Sequence, residues 1–273
     1  MLILCEKPSV AKEFARALGC GGKKGRYENG DTVITYCVGH LFELCGPEGY
    51  NAGFKKWRAE DLPIIPLAWR YERIEGVAEQ AEHVLSLLKE HSGDQILIAT
   101  DAGREGELIG RIALGEAGIT DLGRCRRFWV SEALTDAVIR EGIRNAKPLS
   151  EYDLVSRQGF ARQHADWLVG INLTRYMSIG NSAVFSVGRV QTALLSAVAA
   201  RNDEAARFVA EPYMELEAAA ESGNGAAIKA VLINPETGKT AFAEEGREYL
   251  EKAGAYCRDN PEAEGEAESA RKT

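Results

Sequence analysis

No stretch of this 273-residue sequence approaches the roughly 20 apolar residues that a membrane-crossing helix requires, so a helical membrane span is not expected. A secretory leader is not expected either. The opening MLILCEKPSV carries Glu6 right after a short apolar run, with no small-residue cleavage site, and reads as a first strand. Cys5, Cys20, Cys37, Cys45, Cys125 and Cys257 include no C-x-x-C pair and have no metal-like spacing with the four histidines. Zinc is therefore not expected, and the thiols are those of a reduced, cytoplasmic protein. There is no internal repeat. What is present is 45% hydrophobic content, enough for a substantial core in one large or two modest domains.

The net charge of −8 argues at first against a nucleic-acid partner, but it is unevenly spread. From Glu211 onward there are fourteen acids and seven bases, a net −7, which leaves −1 for residues 1–210. Between Arg157 and Arg201 five arginines face the single acid Asp166, a local positive surface suited to phosphates or simply a solvated arginine face.

The chain is organised around QILIATDAGREGELIGR, residues 95–111. Ile96, Leu97 and Ile98 form an apolar run, rich in β-branched isoleucine, typical of a buried strand; Asp101-Ala102-Gly103 breaks it; Leu108, Ile109 and Ile112 then recur at helical spacing. In an open α/β sheet, ligands bind at the carboxyl ends of the strands, which puts Asp101, Arg104, Glu105 and Glu107 on the functional rim. Clustered carboxylates with hard oxygen donors suit magnesium; acids complementing a helix dipole are the plainer reading.

Leu2–Cys5 is a second apolar strand, followed by a helix with Pro8 in its first turn and Gly19 at its stop. Glu6 thus holds a place equivalent to Asp101, and if the strands are neighbours three carboxylates converge. Residues 20–30 read as a loop, with Asn29-Gly30 as a hairpin turn before a strand over Thr32–Val38. A Pro- and Gly-punctuated insertion lying over the sheet edge runs to about Arg70, and its Trp57, flanked by Lys55, Lys56 and Arg58, is placed either to stack on a base or to pack. Val77–Leu88 and Thr135–Arg144 read as helices, and Arg124–Val130 as a strand. The expected fold class is therefore α/β, a Rossmann-like domain over residues 1–150, then an all-helical segment over 151–210 and the start of a β-domain over 211–273. Within the helical segment Val155–Trp167, Gly170–Met177 and Val190–Phe208 have helical periodicity; a hairpin turning at Gly223-Asn224-Gly225 follows, and the acidic tail NPEAEGEAESARKT is expected to be disordered.

These residues resemble a family, the type IA DNA topoisomerases, and within it the topoisomerase III branch. CEKPSVAKEFA looks like the first strand of the family's Toprim domain, VGHLFEL and WRAEDLPIIP like the segments after it, and TDAGREGELIGR like its acidic metal motif. ARQHADWLVGINLTR and SVGRVQTALLSAV are similar to the helical segment lining its single-strand groove. Five motifs in order across residues 1–210 are far more specific than any one alone.

The resemblance implies magnesium-dependent transesterification of single-stranded DNA through a 5′-phosphotyrosine, in a nucleoid-associated cytoplasmic enzyme. Glu6 would assist proton transfer at the 3′-oxygen, and Lys7 would hold the scissile phosphate. Glu6, Asp101 and Glu105 would supply the carboxylates for Mg2+. Trp57, Arg104, Arg162, Trp167 and Arg175 would contact the strand, and Ser186, Val187, Gly188, Arg189, Val190 and Gln191 would bind its backbone. Two departures are visible. Gly103 stands where the family's D-x-D-x-E commonly has its second acid, and no tyrosine has the T-Y-P-R-T-D-like context of the nucleophile; Tyr249 and Tyr256 sit in an acidic stretch instead. The chain is thus expected to lack the nucleophile and to be inactive alone. A stand-alone single-strand-binding accessory and a Toprim nuclease are the competing readings. Protein partners are not specified by these residues.

Overall fold

A computed structural model gives the structure of the chain, describing all residues except 24, 182, 211–212, 222–226, 236, 241–247, 249–250, 253–265 and 273. Two compact units are present, Met1–Leu195 and Ser196–Thr273.

In the first unit the chain runs β1 (Leu2–Cys5), α1 (Pro8–Leu18), β2 (Gly21–Lys23), β3 (Arg26–Asn29), β4 (Thr32–Tyr36), β5 (Phe42–Leu44), α2 (Pro47–Tyr50) and β6 (Tyr71–Arg73). It continues through α3 (Ala78–Glu90), β7 (Ile96–Ala99), α4 (Arg104–Glu116), β8 (Cys125–Arg127), α5 (Asp136–Arg144), β9 (Lys147–Pro148) and α6 (Asp153–Ser178) into α7 (Arg189–Ala206). Seven strands form one sheet in the order β2-β3-β4-β1-β7-β8-β9. The central four are parallel, and the edge strands pair antiparallel.

Side chains alternate across a strand, so each half of β1 and β7 feeds a different layer. Leu2, Leu4, Ile96 and Ile98 pack with Val84 and Leu88 of α3 and Leu108 and Ile112 of α4. Ile3, Cys5 and Leu97 pack with Phe14 of α1 and Ile139 of α5 on the other face. Phe14 is fully buried and meets Phe128 edge-on at 5.0 Å, a contact of about 2–3 kcal/mol by burial alone. The chain leaves β1 for one face and β7 for the other, which makes the cleft between their carboxyl ends the switch point of the sheet.

Several local expectations are corrected. Residues 20–30 are not simply a loop: Gly21–Lys23 and Arg26–Asn29 pair antiparallel. The hairpin turn is Gly30-Asp31, because Asn29 pairs with Thr32, and Gly30 supplies the positive φ of 53° that the first turn position demands. The insertion before Arg70 leans on α6 rather than on the sheet edge, tied by Asn172, whose Oδ1 accepts from the Ile64 N–H at 2.6 Å and whose amide donates to the Ile64 carbonyl at 3.0 Å. Its β5 and β6 form a separate two-stranded ribbon. The two helical stretches expected over Val155–Trp167 and Gly170–Met177 are one 26-residue helix, α6, whose internal glycines cost only ~1 kcal/mol each. Arg111 of α4 donates to the Leu149 carbonyl at 2.7 Å and to Asp153 at 2.8 Å, fastening the start of α6 to the α/β layer.

In the second unit β10 (Tyr213–Glu221) pairs antiparallel with β11 (Ala227–Val231) and with β12 (Glu266–Lys272). The expected turn at Gly223-Asn224-Gly225 lies outside the described residues. Of the tail expected to be disordered, Glu266–Lys272 is a strand: ladder hydrogen bonds to β10 do not depend on apolar side chains. Among the described residues no helix is long and apolar enough to cross a membrane.

Candidate functional site

Glu6 follows β1 and Asp101 follows β7 by one further residue, so the two strands, paired Cys5 to Ala99, deliver both acids to the switch point. Glu6 is 8% exposed, and its Oε2 accepts the Asp101 backbone N–H at 3.0 Å. Lys7 reaches across with Nζ 2.6 Å from Asp101 Oδ2 and 3.4 Å from Glu6 Oε1. The Asp101 hydrogen bond first, and then the Glu6 charge, raise the Lys7 ammonium above its ordinary range, so it is protonated at neutral pH.

The loop after Asp101 is folded tightly back on itself. A Cβ on Gly106 would fall 2.1 Å from the Asp101 carbonyl oxygen, a contact that only glycine avoids. Thr100 Oγ1 donates to the Gly106 carbonyl at 2.7 Å. Gly103, by contrast, is extended at φ −174°, and a Cβ there meets nothing within 4 Å.

Two acids depart from the expected rim. Glu107 is fully buried, pairing Arg127 at 2.8 Å through Oε2 and Arg111 at 2.8 Å through Oε1. It lies on the inner face of α4 with Leu108, so it serves the interior rather than a ligand. Glu105 is exposed but turned toward His40 Nε2 and Arg162 Nη1, each at 3.5 Å. Among the described residues no three His, Cys, Asp or Glu side chains gather as a metal ligand set, and Glu105 does not join Glu6 and Asp101. The donor chemistry of the remaining pair still suits magnesium, which takes one or two carboxylates and completes its shell with water and phosphate oxygen. The Lys7 ammonium shows that this corner accepts positive charge.

A line of alternating charges runs from Glu105 of α4 across α6 to the start of α7. Arg162 bridges Glu105 to Asp166 at 3.8 Å, and Asp166 takes a two-point contact from Arg189, Nε at 2.8 Å and Nη2 at 3.3 Å. Hydrogen bonding from Arg189 holds the Asp166 carboxyl below the usual carboxylate range. Arg104 is exposed in the first turn of α4.

Beside Arg189 opens a cavity of about 540 Å³ lined by Trp57, Trp167, Arg175, Ser186, Val187 and Gln191, among others. Val187 is held by Thr174, whose Oγ1 accepts its N–H at 2.9 Å, and the Gly188 N–H donates to Thr192 Oγ1 at 3.0 Å, while Val190 is exposed at the start of α7. Trp57 is 41% exposed and lies over the Arg175 guanidinium at 5.2 Å. Arg175 itself is 4% exposed and donates to the Phe54 carbonyl at 2.7 Å; burial lowers its pKa, Glu48 opposing. Trp167 donates from Nε1 to the Cys45 carbonyl at 3.0 Å and meets Trp69 edge-on. Arg175 and Trp167 thus shape the wall of the cavity, and Trp57 presents a ring to it.

Sequence reasoning missed Arg127, Asp166 and His40 as members of this network. Arg127 carried a faint signal, a basic residue inside the strand run CRRFWV. Tyr249 and Tyr256 lie outside the described residues.

Residues 1–133 match the model of the Toprim domain, and residues 150–263 match a model described as DNA topoisomerase. The chain is 40% identical over 221 residues to DNA topoisomerase 3 of Bacillus subtilis, covering 81% of this chain and 30% of that protein. It is 38% identical over 218 residues to DNA topoisomerase 3 of Bacillus cereus, covering 80% and 30%. Full-length topoisomerase I from Thermotoga maritima superposes with a TM-score of 0.59 at 26% identity, covering 92% of this chain and 37% of that one. The chain therefore spans about 30% of the length of the curated relatives it matches.

Proposed function

The chain belongs to the type IA DNA topoisomerases, in their Toprim-bearing, topoisomerase III-like portion, and on that premise we propose that it serves magnesium-dependent breakage, passage and rejoining of single-stranded DNA. The observation that carries this reading is Glu6 and Asp101 joined at the sheet's switch point with Lys7 between them.

In the proposed reaction a tyrosine oxygen attacks a backbone phosphorus, the bond to the 3′-oxygen breaks, and a 5′-phosphotyrosine and a 3′-hydroxyl result. Glu6 relays a proton, taking one up as the phenol loses its own and delivering it to the departing 3′-oxygen, with the reverse transfer on resealing. Its burial and single fixed contact with Asp101 hold it in place for that exchange. Lys7 leaves Asp101 for the scissile phosphate and offsets the charge that builds there. Magnesium, held by Asp101 with Glu6 beside it, would supply further charge neutralisation at that phosphate. Arg162 and Arg189 exchange Asp166 for backbone phosphates, and Trp57 stacks on a base. Stacking and phosphate contacts carry little base readout.

None of the nine tyrosines has the sequence context of the family's nucleophile, which supports a tyrosine supplied from outside these residues. The polypeptide then binds single strands and magnesium, works in the nucleoid, and does not relax supercoils alone. Supercoil relaxation with magnesium tests this, run with the chain alone and again with a supplied polypeptide bearing the family's tyrosine domain. Relaxation only on complementation, abolished by Asp101→Ala, is the expected result. Relaxation by the chain alone would overturn the assignment of the nucleophile, and silence in both would favour a single-strand-binding accessory.

A further inference from the structure

Arg127 is the largest fully buried side chain of the described residues, and a guanidinium in that position needs an explanation. Only part of it is neutralised by an acid: Nε donates to Glu107 Oε2 at 2.8 Å. The rest is spent on main-chain carbonyls around the end of β7. Nη1 donates to Ile98, Thr100 and Phe128 at 3.1, 2.7 and 2.7 Å, and Nη2 donates to the carbonyl of Asp101 at 2.7 Å. Trp129 closes over its far face, with the guanidinium carbon 4.9 Å from the ring centroid.

The peptide units around Asp101 are consequently held from two sides. Its N–H is given to the Glu6 carboxylate, and its carbonyl is held by Arg127. Only the side chain is left to project into the cleft. A planar fork with five donors can hold several carbonyls at fixed directions, which a lysine ammonium cannot do over the same span.

We infer that Arg127 is a positioning residue of the metal site: it never touches DNA or the cation, and it sets the Asp101 carboxylate relative to Glu6 by fixing the carbonyls of Thr100 and Asp101. This rests on the proposed function, since it takes Asp101 as a cation ligand. Partners that orient a ligating carboxylate typically govern about 10–100-fold in metal affinity.

The test is Mn2+ binding by the whole chain, followed by electron paramagnetic resonance, with thermal melting and metal-free binding of an oligothymidylate measured beside it. Arg127→Lys keeps the buried positive charge opposite Glu107 but loses the fork; Mn2+ affinity is expected to fall about tenfold while metal-free oligonucleotide binding stays at the wild-type value. Glu107→Gln keeps an acceptor for Nε and leaves the carbonyl contacts in place, so it is expected to lower the melting temperature without moving Mn2+ affinity. Should Arg127→Lys not fold, the paired replacement Arg127→Met with Glu107→Leu removes both buried charges together, and the same tenfold loss is expected. A folded variant of either kind with wild-type Mn2+ affinity overturns the inference, as does failure of both to fold, which would make Arg127 a residue of the fold alone. Absence of Mn2+ binding by the wild-type chain, or binding indifferent to Asp101→Asn, would instead overturn the metal reading on which it rests.

Discussion

The Asp101 main-chain N–H donates to Glu6 Oε2 at 3.0 Å, so one acid of the site is oriented by the backbone of the other, 95 residues away. The bond leaves the Asp101 carboxylate free to meet Lys7 and leaves Glu6 with one oxygen turned toward the same ammonium. Two strand ends and one hydrogen bond thereby assemble the corner proposed above to take a cation and a phosphate.

Asp101→Asn is expected to separate stability from metal binding. Both Asp101 and Lys7 are about half exposed, and an exposed ion pair contributes at most about 1 kcal/mol. The melting temperature should move by no more than a few degrees, while calorimetric titration should show Mn2+ or Mg2+ affinity reduced about tenfold. Unchanged affinity would remove Asp101 from the ligand set.

Gly106 and Gly103 should respond oppositely to a side chain. Gly106→Ala forces a Cβ against the Asp101 backbone and is expected to cost about 1–3 kcal/mol in urea unfolding, together with metal binding. Gly103→Asp enters open space from an extended backbone, so the fold should tolerate it and the added carboxylate should tighten Mg2+ binding. Loss of folding in Gly103→Asp, or wild-type behaviour of Gly106→Ala, would contradict the loop geometry.

Asp166 occupies Arg189 and Arg162, the two arginines proposed to take backbone phosphates. Asp166→Asn should therefore tighten oligothymidylate binding up to about fivefold at low salt, the range of an exposed ion pair. Arg189→Ala should weaken binding and reduce the slope of log K against log salt by about 0.7. The Asp166 carboxyl is held below its ordinary range by Arg189, so this pair is present above that range and is lost only as pH falls through the lowered pKa. Lowering the pH from 7 to 5 should accordingly not mimic Asp166→Asn, and fluorescence anisotropy at the two values checks it.

The buried thiols should make the fold alkali-sensitive. Burial pushes Cys125 from 9.0 up to about 11 and raises Cys5 and Cys37 further still. Above the unfolded value the denatured chain releases protons that the native chain retains, so stability falls as pH rises from about 9, by up to about 1.4 kcal/mol per pH unit for each thiol. Melting curves between pH 8 and 10.5 should show that decline, and native-state labelling with a thiol reagent at pH 8 should spare these three cysteines.

The elements that carry the acids were legible because their signals are local. Pro8 and Gly19 bracket α1, Thr135 caps α5 with its Oγ1 accepting the Val138 N–H, and Ile96–Ile98 is a β-branched run before a glycine-bearing turn. Glu107 was misread because its fate depends on a partner twenty residues away on another strand. Leu168 and Val169 fell between two expected helical stretches that α6 joins, and the charge-rich Glu266–Lys272 gave no hint of a strand whose pairing is made by backbone groups.

By itself the sequence determined the inventory and its rough placement: an acid after each of two buried strands, a lysine beside the first, and arginines with few acids between residues 157 and 201. Tertiary structure alone decided who partners whom. The order β4-β1-β7-β8 puts Glu6 against Asp101 and Arg127 beneath both, and the packing of α6 beside α4 brings Arg162 to Glu105. Short-range preference can set where a charge emerges from a strand or helix, but its partner is fixed only when sheet order and helix packing bring distant segments within a few ångströms, where low dielectric makes each pairing count.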